Sequence, residues 1–168
     1  MVYGMIIALA SGVDLALKWW IEGQKQERFP RPLEKTGGKI WLYRNHNAGF
    51  PFGFLKEHAE LVRTLPLVVT SMLGGVLCCL TARKEKSLHK IALAVVIGGS
   101  LSNLYDRFVR RYVVDYFSFQ FGALKKVVFN LGDMFVFAGS AALALLQLME
   151  QVPEARQKQA VDRIDEIL

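Results

Sequence analysis

A run of nineteen residues without a single charge, TLPLVVTSMLGGVLCCLTA (Thr64–Ala82), limits most severely what this chain can become. A bilayer-crossing helix needs roughly 20 mainly apolar residues, because backbone amides and carbonyls inside hydrocarbon must satisfy one another. Three further blocks approach that length. KIALAVVIGGSLSNLY (Lys90–Tyr105) extends back through Leu88 or forward through Arg107. DMFVFAGSAALALLQLM (Asp133–Met149) is rich in the small residues that let helices approach closely. MVYGMIIALASGVDLALKWWI, at the start, is interrupted by Asp14 and Lys18, which stand four apart, share a helix face and can pair. Trp19 and Trp20 follow where such a helix would leave the bilayer. A cleavable signal peptide is the competing reading of that block, but a basic opening and an A-x-A-like site are missing.

The expectation is therefore one mainly α domain over 1–168, crossing a membrane at about 1–21, 63–82, 88–107 and 132–150, with a tail at 151–168. Composition agrees: 52% of residues are hydrophobic and mean hydropathy is +0.26, high for a water-soluble domain of this size. The net charge of +6 does not point to nucleic acid, because the basic residues flank the apolar blocks as they would beside anionic lipid headgroups. Cys78 and Cys79 are adjacent in an apolar run, so they form neither a disulfide framework nor a CxxC metal site.

Four crossings put both termini on one side. The loop RKEKSLHK carries Arg83, Lys84, Lys86 and Lys90 within eight residues, and that density puts it, with the termini, in the cytoplasm. Residues 22–62 and 109–132 then lie outside, where KIWLYR and YVVDYFSFQF have the alternation of strands and could form a small extracytoplasmic sheet. In the tail, Ala160, Val161, Ile164, Ile167 and Leu168 recur at helical spacing, as on a surface helix.

Three polar clusters need explaining. NHNAGFPFGF (Asn45–Phe54) reads as a turn by its glycines and proline. GGSLSNLYDR (Gly98–Arg107) puts Asn103 and Asp106 on one helix face with Arg107 beside them, which a helix-end ion pair would also explain. The third cluster holds Asp115, Asn130 and Asp133. A carboxylate facing hydrocarbon costs at least ~2.5–3.5 kcal/mol, and such groups usually face a protein interior or a water cavity. The two aspartates could be solvated separately or paired with Arg110, Arg111, Lys125 or Lys126. Alternatively the chain folds back and brings them together. Two adjacent carboxylates cannot both ionise easily, so they would share a proton. One then activates water and the other protonates the leaving group, the arrangement of an aspartic protease.

In order and spacing these clusters resemble signal peptidase II, the integral-membrane aspartic proteases that process bacterial lipoproteins. The N-x-G-x-x-F-G motif is matched by Asn47, Gly49, Phe52 and Gly53, and G-N-x-x-D-R by Asn103, Asp106 and Arg107. V-x-D-F is matched by Val113, Asp115 and Tyr116, and F-N-x-A-D by Phe129, Asn130 and Asp133. The resemblance implies that Asp115 and Asp133 are the catalytic dyad. Asn47, Gly49, Asn103, Arg107 and Asn130 would line the site, with Asp106 and Asp14 supporting it. It implies no cofactor or metal, and a prolipoprotein substrate cut before a diacylglyceryl-modified cysteine. It further implies globomycin-type inhibitors and residence in the bacterial inner membrane, with the site at its outer surface.

The chain departs from the pattern at Ser102, where a glycine is usual, at Gly132, where alanine is usual, and at Tyr116, usually phenylalanine. Phe50 and Pro51 replace two small residues. Two rivals stand beside the peptidase: a small transporter that relays ions through intramembrane carboxylates, and a divergent homologue that binds lipidated proteins without cutting them. A zinc protease is disfavoured, because His46, His58 and His89 lack the H-E-x-x-H spacing.

Overall fold

The computed structural model describes residues 1–50, 54, 57–83 and 86–165. Its helices are α1 (Val2–Glu22), α2 (Ala59–Thr81), α3 (Ser87–Tyr105) and α4 (Leu131–Asp165). Among the described residues, four stretches are long and apolar enough to cross a membrane: Val2–Glu22, Ala59–Thr81, Ser87–Arg110 and Leu131–Gln151. They overlap the expected 1–21, 63–82, 88–107 and 132–150; the second starts four residues earlier and the third ends three residues later. α2 begins four residues before the expected 63, because Glu60 and Arg63 pair at 3.0 Å across one turn and can sit together at a helix end. α4 continues to Asp165, so the tail is an extension of the fourth helix and not a separate one. The side chains expected to form an apolar face there lie outside the described residues.

α3 is the central helix. In its membrane window 61% of residues are buried, against 22% or less in the other three. Small residues make this possible: Ala92, Ala94, Gly98, Gly99 and Ser102 let neighbours pack against its backbone. A Cβ on Gly98 would meet the Ala10 Cβ at 2.7 Å, and one on Gly99 would run into the Gly132 carbonyl oxygen. α1 and α4 therefore both touch α3 at the level of the polar clusters. Leu77, Leu93, Ala94 and Ile97 form an apolar core between α2 and α3. Outward, Leu65, Val69, Met72 and Val76 of α2 and Leu145 and Leu148 of α4 are exposed. Such an apolar surface fits contact with lipid.

After Tyr105 the helix widens into a π turn, Asp106–Arg110, closed by the bond from Arg111 N–H to the Asp106 carbonyl at 3.0 Å. Arg111 then takes φ 72°, which turns the chain sharply into a strand. Strands β1 (Arg31–Pro32), β2 (Ile40–Asn47) and β3 (Val113–Phe119) form an antiparallel sheet in the order β1-β2-β3. Both expected strands are present. β2 runs further than KIWLYR, because Asn45 pairs with Asp115 and Asn47 with Val113. Asn45–Asn47 thus end a strand, and the turn starts only where Gly49 N–H donates to the Asn47 side-chain oxygen at 3.0 Å. Pro51, Phe52 and Gly53 lie outside the described residues. Ile21, Val114 and Tyr116 pack together and fasten the sheet to the end of α1.

Candidate active site

The register that pairs Asn45 with Asp115 puts the Asp115 carboxylate beside the start of α4. There the Asn130 side chain donates to Asp115 Oδ1 at 2.8 Å, and Asn47 donates to Oδ2 at 3.2 Å. Asn130 immediately precedes α4, and Asp133 is the third residue of that helix. The two cap it reciprocally: Asp133 N–H donates to Asn130 Oδ1 at 2.9 Å, and Asn130 N–H donates to Asp133 Oδ2 at 3.1 Å. This is the geometry of a capping box, with amide and carboxylate in place of the commoner hydroxyl and glutamate. Asn130 therefore bridges the two carboxylates, its side-chain NH2 donating to Asp115 and its backbone N–H to Asp133. Its side-chain oxygen holds the helix start.

From α3, Asn103 donates to Asp133 Oδ1 at 2.9 Å. The Asn103 oxygen accepts from Lys18 at 2.7 Å, which turns its NH2 toward Asp133. Arg107, one turn on, donates to the Asn103 carbonyl at 3.3 Å and lies 5.7 Å from the centre of the Phe50 ring. Its buried Nε has no partner among the described residues.

Asp115, Asp133, Asn47, Gly49, Asn103 and Arg107 all line one cavity of about 770 Å³. Its other walls are largely apolar, with Pro66 of α2, Phe129, and Val136 and Phe137 of α4. Asn130, Asp14 and Asp106 stand behind this wall, fully buried. Asn130 thus differs from the expectation that it lines the site: it is wedged between the two carboxylates. Burial first, and then the Asp133 charge, push the Asp115 carboxyl up to about 7, against the pull of the Asn130 and Asn47 amides. At neutral pH it stands poised between its two forms.

The third layer is a charge cluster centred on Lys18. Its ammonium lies 2.8 Å from Asp14 Oδ2 and 3.1 Å from Asp106 Oδ2, with all three side chains inaccessible to solvent. Arg110 pairs with Asp106 Oδ1 at 2.6 Å, and Val114 N–H donates to Asp106 Oδ2 at 3.0 Å. The π turn has aimed Asp106 inward at this cluster. Two carboxylates and two bases balance, as burial requires.

A family model described as Signal peptidase (SPase) II matches residues 6–149. The chain belongs to the signal peptidase II family. The lipoprotein signal peptidase of Serratia proteamaculans (strain 568) is 31% identical over 142 residues, 83% of this chain and 82% of that protein. That of Xylella fastidiosa (strain M12) is 32% identical over 147 residues, 86% of this chain and 84% of its own length. A bacterial membrane enzyme solved by the in meso method at 2.3 Å shares the fold, with a TM-score of 0.72 over 90% of each chain at 17% identity. Signal peptidase II is a membrane aspartic protease, and this member sets two aspartates on one cavity.

Three departures from the signal peptidase II motifs meet at one side chain. Ser102 donates to Asp14 Oδ2 and accepts from Lys18 at 3.1 Å. Tyr116 donates to Asp14 Oδ1 at 2.9 Å and accepts from Leu131 N–H at 3.0 Å. Burial, and then the Asp14 charge, raise the Tyr116 phenol, so it stays a hydroxyl donor. Gly132 faces Asp14 from α4. Lys18, Ser102 and Tyr116 were not legible as site-supporting residues. The signal available was a hydroxyl added at each of two motif positions, Ser102 and Tyr116.

Proposed function

We propose that this chain is a membrane aspartic endopeptidase that removes signal peptides from prolipoproteins, with Asp115 and Asp133 as the reacting pair. The cut falls on the N-terminal side of a cysteine that carries a diacylglyceryl group. One observation carries the reading: two aspartates from β3 and α4, eighteen residues apart in sequence, open on a single cavity, and their carboxylates both accept from Asn130, Asp115 from its side chain and Asp133 from its backbone N–H.

In the proposed reaction the ionised member of the pair takes a proton from water, whose oxygen bonds to the scissile carbonyl carbon. The protonated member donates a hydrogen bond to the carbonyl oxygen. When the tetrahedral intermediate collapses, the carbon–nitrogen bond breaks and the departing amine takes up a proton from the pair. The proton belongs to the pair and not to either residue. Asn130 and Asn103 hold the two carboxylates, and Asn47 and Arg107 offer donors to the substrate backbone. Pro66, Phe129, Val136 and Phe137 give the cavity an apolar wall that suits acyl chains. Globomycin-type inhibitors would occupy the same cavity. The exposed apolar helix faces meet membrane lipid, and the density of basic residues at 83–90 supports a cytoplasmic position for that loop. The cavity then lies at the outer surface of the bacterial inner membrane.

The test is a gel-mobility assay of a diacylglyceryl-modified precursor with the purified protein, run from about pH 5 to about pH 9. A band shortened by the signal peptide is expected, and its loss on adding globomycin. An unchanged precursor would contradict the reading. The pH dependence has a definite sign. The pair needs one proton, and with Asp115 pushed up to about 7, kcat/KM falls as pH rises through that value. A rate that stays flat up to about pH 9 would remove the shared proton from the mechanism.

A further inference from the structure

Asp14 lies behind the cavity wall, yet among the described residues its four hydrogen-bonding partners come from α1, α3, β3 and α4, the last three of which carry Asn103, Asp115 and Asp133. Oδ2 accepts from Lys18 of its own helix and from Ser102 of α3. Oδ1 accepts from Tyr116 of β3 and from Leu131 N–H, the first amide of α4, at 3.0 Å. Leu131 stands between Asn130 and Asp133, so any movement of Asp14 is felt at the residues that hold the reacting pair. A Cβ built on Gly132 would lie 2.9 Å from Asp14 Oδ2 and 3.0 Å from Asn130 Oδ1. Asp14 Oδ2 is thus held by the Ser102 hydroxyl in the space that a side chain at 132 would need.

We infer that Ser102 and Gly132 act as a coupled pair of positioning residues for peptide cleavage. The hydroxyl draws the Asp14 carboxylate toward α4, and the missing Cβ makes room for it. The carboxylate in turn fixes the first turn of α4, and with it Asn130 and Asp133. Position 132 can carry a methyl group when position 102 does not pull Asp14 into its place, and position 102 can carry a hydroxyl when 132 is bare. The Gly99 carbonyl also borders position 132, at 2.9 Å, so relief through residue 102 is partial. The inference rests on Asp115 and Asp133 being the reacting pair.

The test is a cycle of four proteins, wild type, S102G, G132A and S102G/G132A, assayed for kcat, KM and thermal unfolding in detergent. G132A pushes on Asp14 and Asn130 together and should lower kcat by about ten- to a hundredfold, the cost of a displacement of about 1 Å at a reacting group. KM should hold within about twofold. S102G removes a donor from Asp14 and should lower kcat several-fold in the wild-type background. In the G132A background the same change should raise it, so the double variant is more active than G132A alone. Effects that simply multiply, or that fall on KM, would overturn the proposal. If G132A does not fold, S102G carries the test: unchanged kcat overturns the proposal, and recovery of a folded protein in S102G/G132A supports it. D115N and D133N, assayed alongside, separate the two readings. Cleavage by either one defeats the assignment of the reacting pair whatever the cycle shows. Inactive D115N and D133N with an uncoupled cycle defeat this inference alone.

Discussion

Asp115→Asn and Asp133→Asn each lower cleavage of the lipidated precursor by at least about 10³-fold, while the protein still inserts and folds. The size follows from the loss of a positioned acid or base, typically worth about 10²–10⁴-fold, since in the proposed reaction both members act on the same water and carbonyl. The fold survives because the replacement keeps shape and costs little hydrogen bonding. Asp115 accepts from Asn130 and Asn47, and Asp133 from Asn103 and the Asn130 amide. In each case an asparagine oxygen can keep one of the two donors. The loss is then about one hydrogen bond, roughly 0.5–1.5 kcal/mol. Parallel measurements of precursor cleavage and thermal unfolding in detergent check both halves. Full activity in either variant would contradict the assignment.

Lys18→Met has the opposite profile, with a large loss of stability. The ammonium contacts Asp14 and Asp106 at 2.8 and 3.1 Å, and all three side chains are inaccessible. Methionine fills the space but leaves two buried carboxylates with one base, Arg110, between them. Breaking a buried ion pair from one side costs about 3–5 kcal/mol, because the remaining charge has no counterpart and no water. Asn103 would also lose the donor that turns its NH2 toward Asp133, so the surviving folded protein should cleave slowly. Thermal unfolding of the two proteins in the same detergent reads the first effect. An unchanged midpoint would mean that the cluster does not hold the helices together.

The spans were legible because lipid imposes a length and a composition that twenty residues display locally. Thr64–Ala82 shows both without reference to any other part of the chain. The strands were legible for a similar reason, since alternation is local. The boundaries that moved did so for reasons a window cannot see: Glu60 is tolerated through Arg63, and the end of β2 is set by pairing with Asp115. The supporting network was least legible. Ser102 and Tyr116 contact Asp14 across 88 and 102 residues, and Lys18 reaches Asn103 across 85. Asp14 and Lys18 showed their mutual pairing through four-residue spacing, but not what else they hold. Asn130 was visible as a motif residue. Its position between the carboxylates depends on how β3 is set against α4, which only the folded chain determines.

Proton sharing between Asp115 and Asp133 is most directly tested by infrared titration of the carboxyl groups, as the difference between wild type and each of the two asparagine variants. One protonated carboxyl is expected in the pair at about pH 6, far above the ordinary aspartate value of about 3.9, and lost as pH rises through about 7. Two carboxylates both ionised at that lower pH, each titrating independently in the ordinary range, would contradict it.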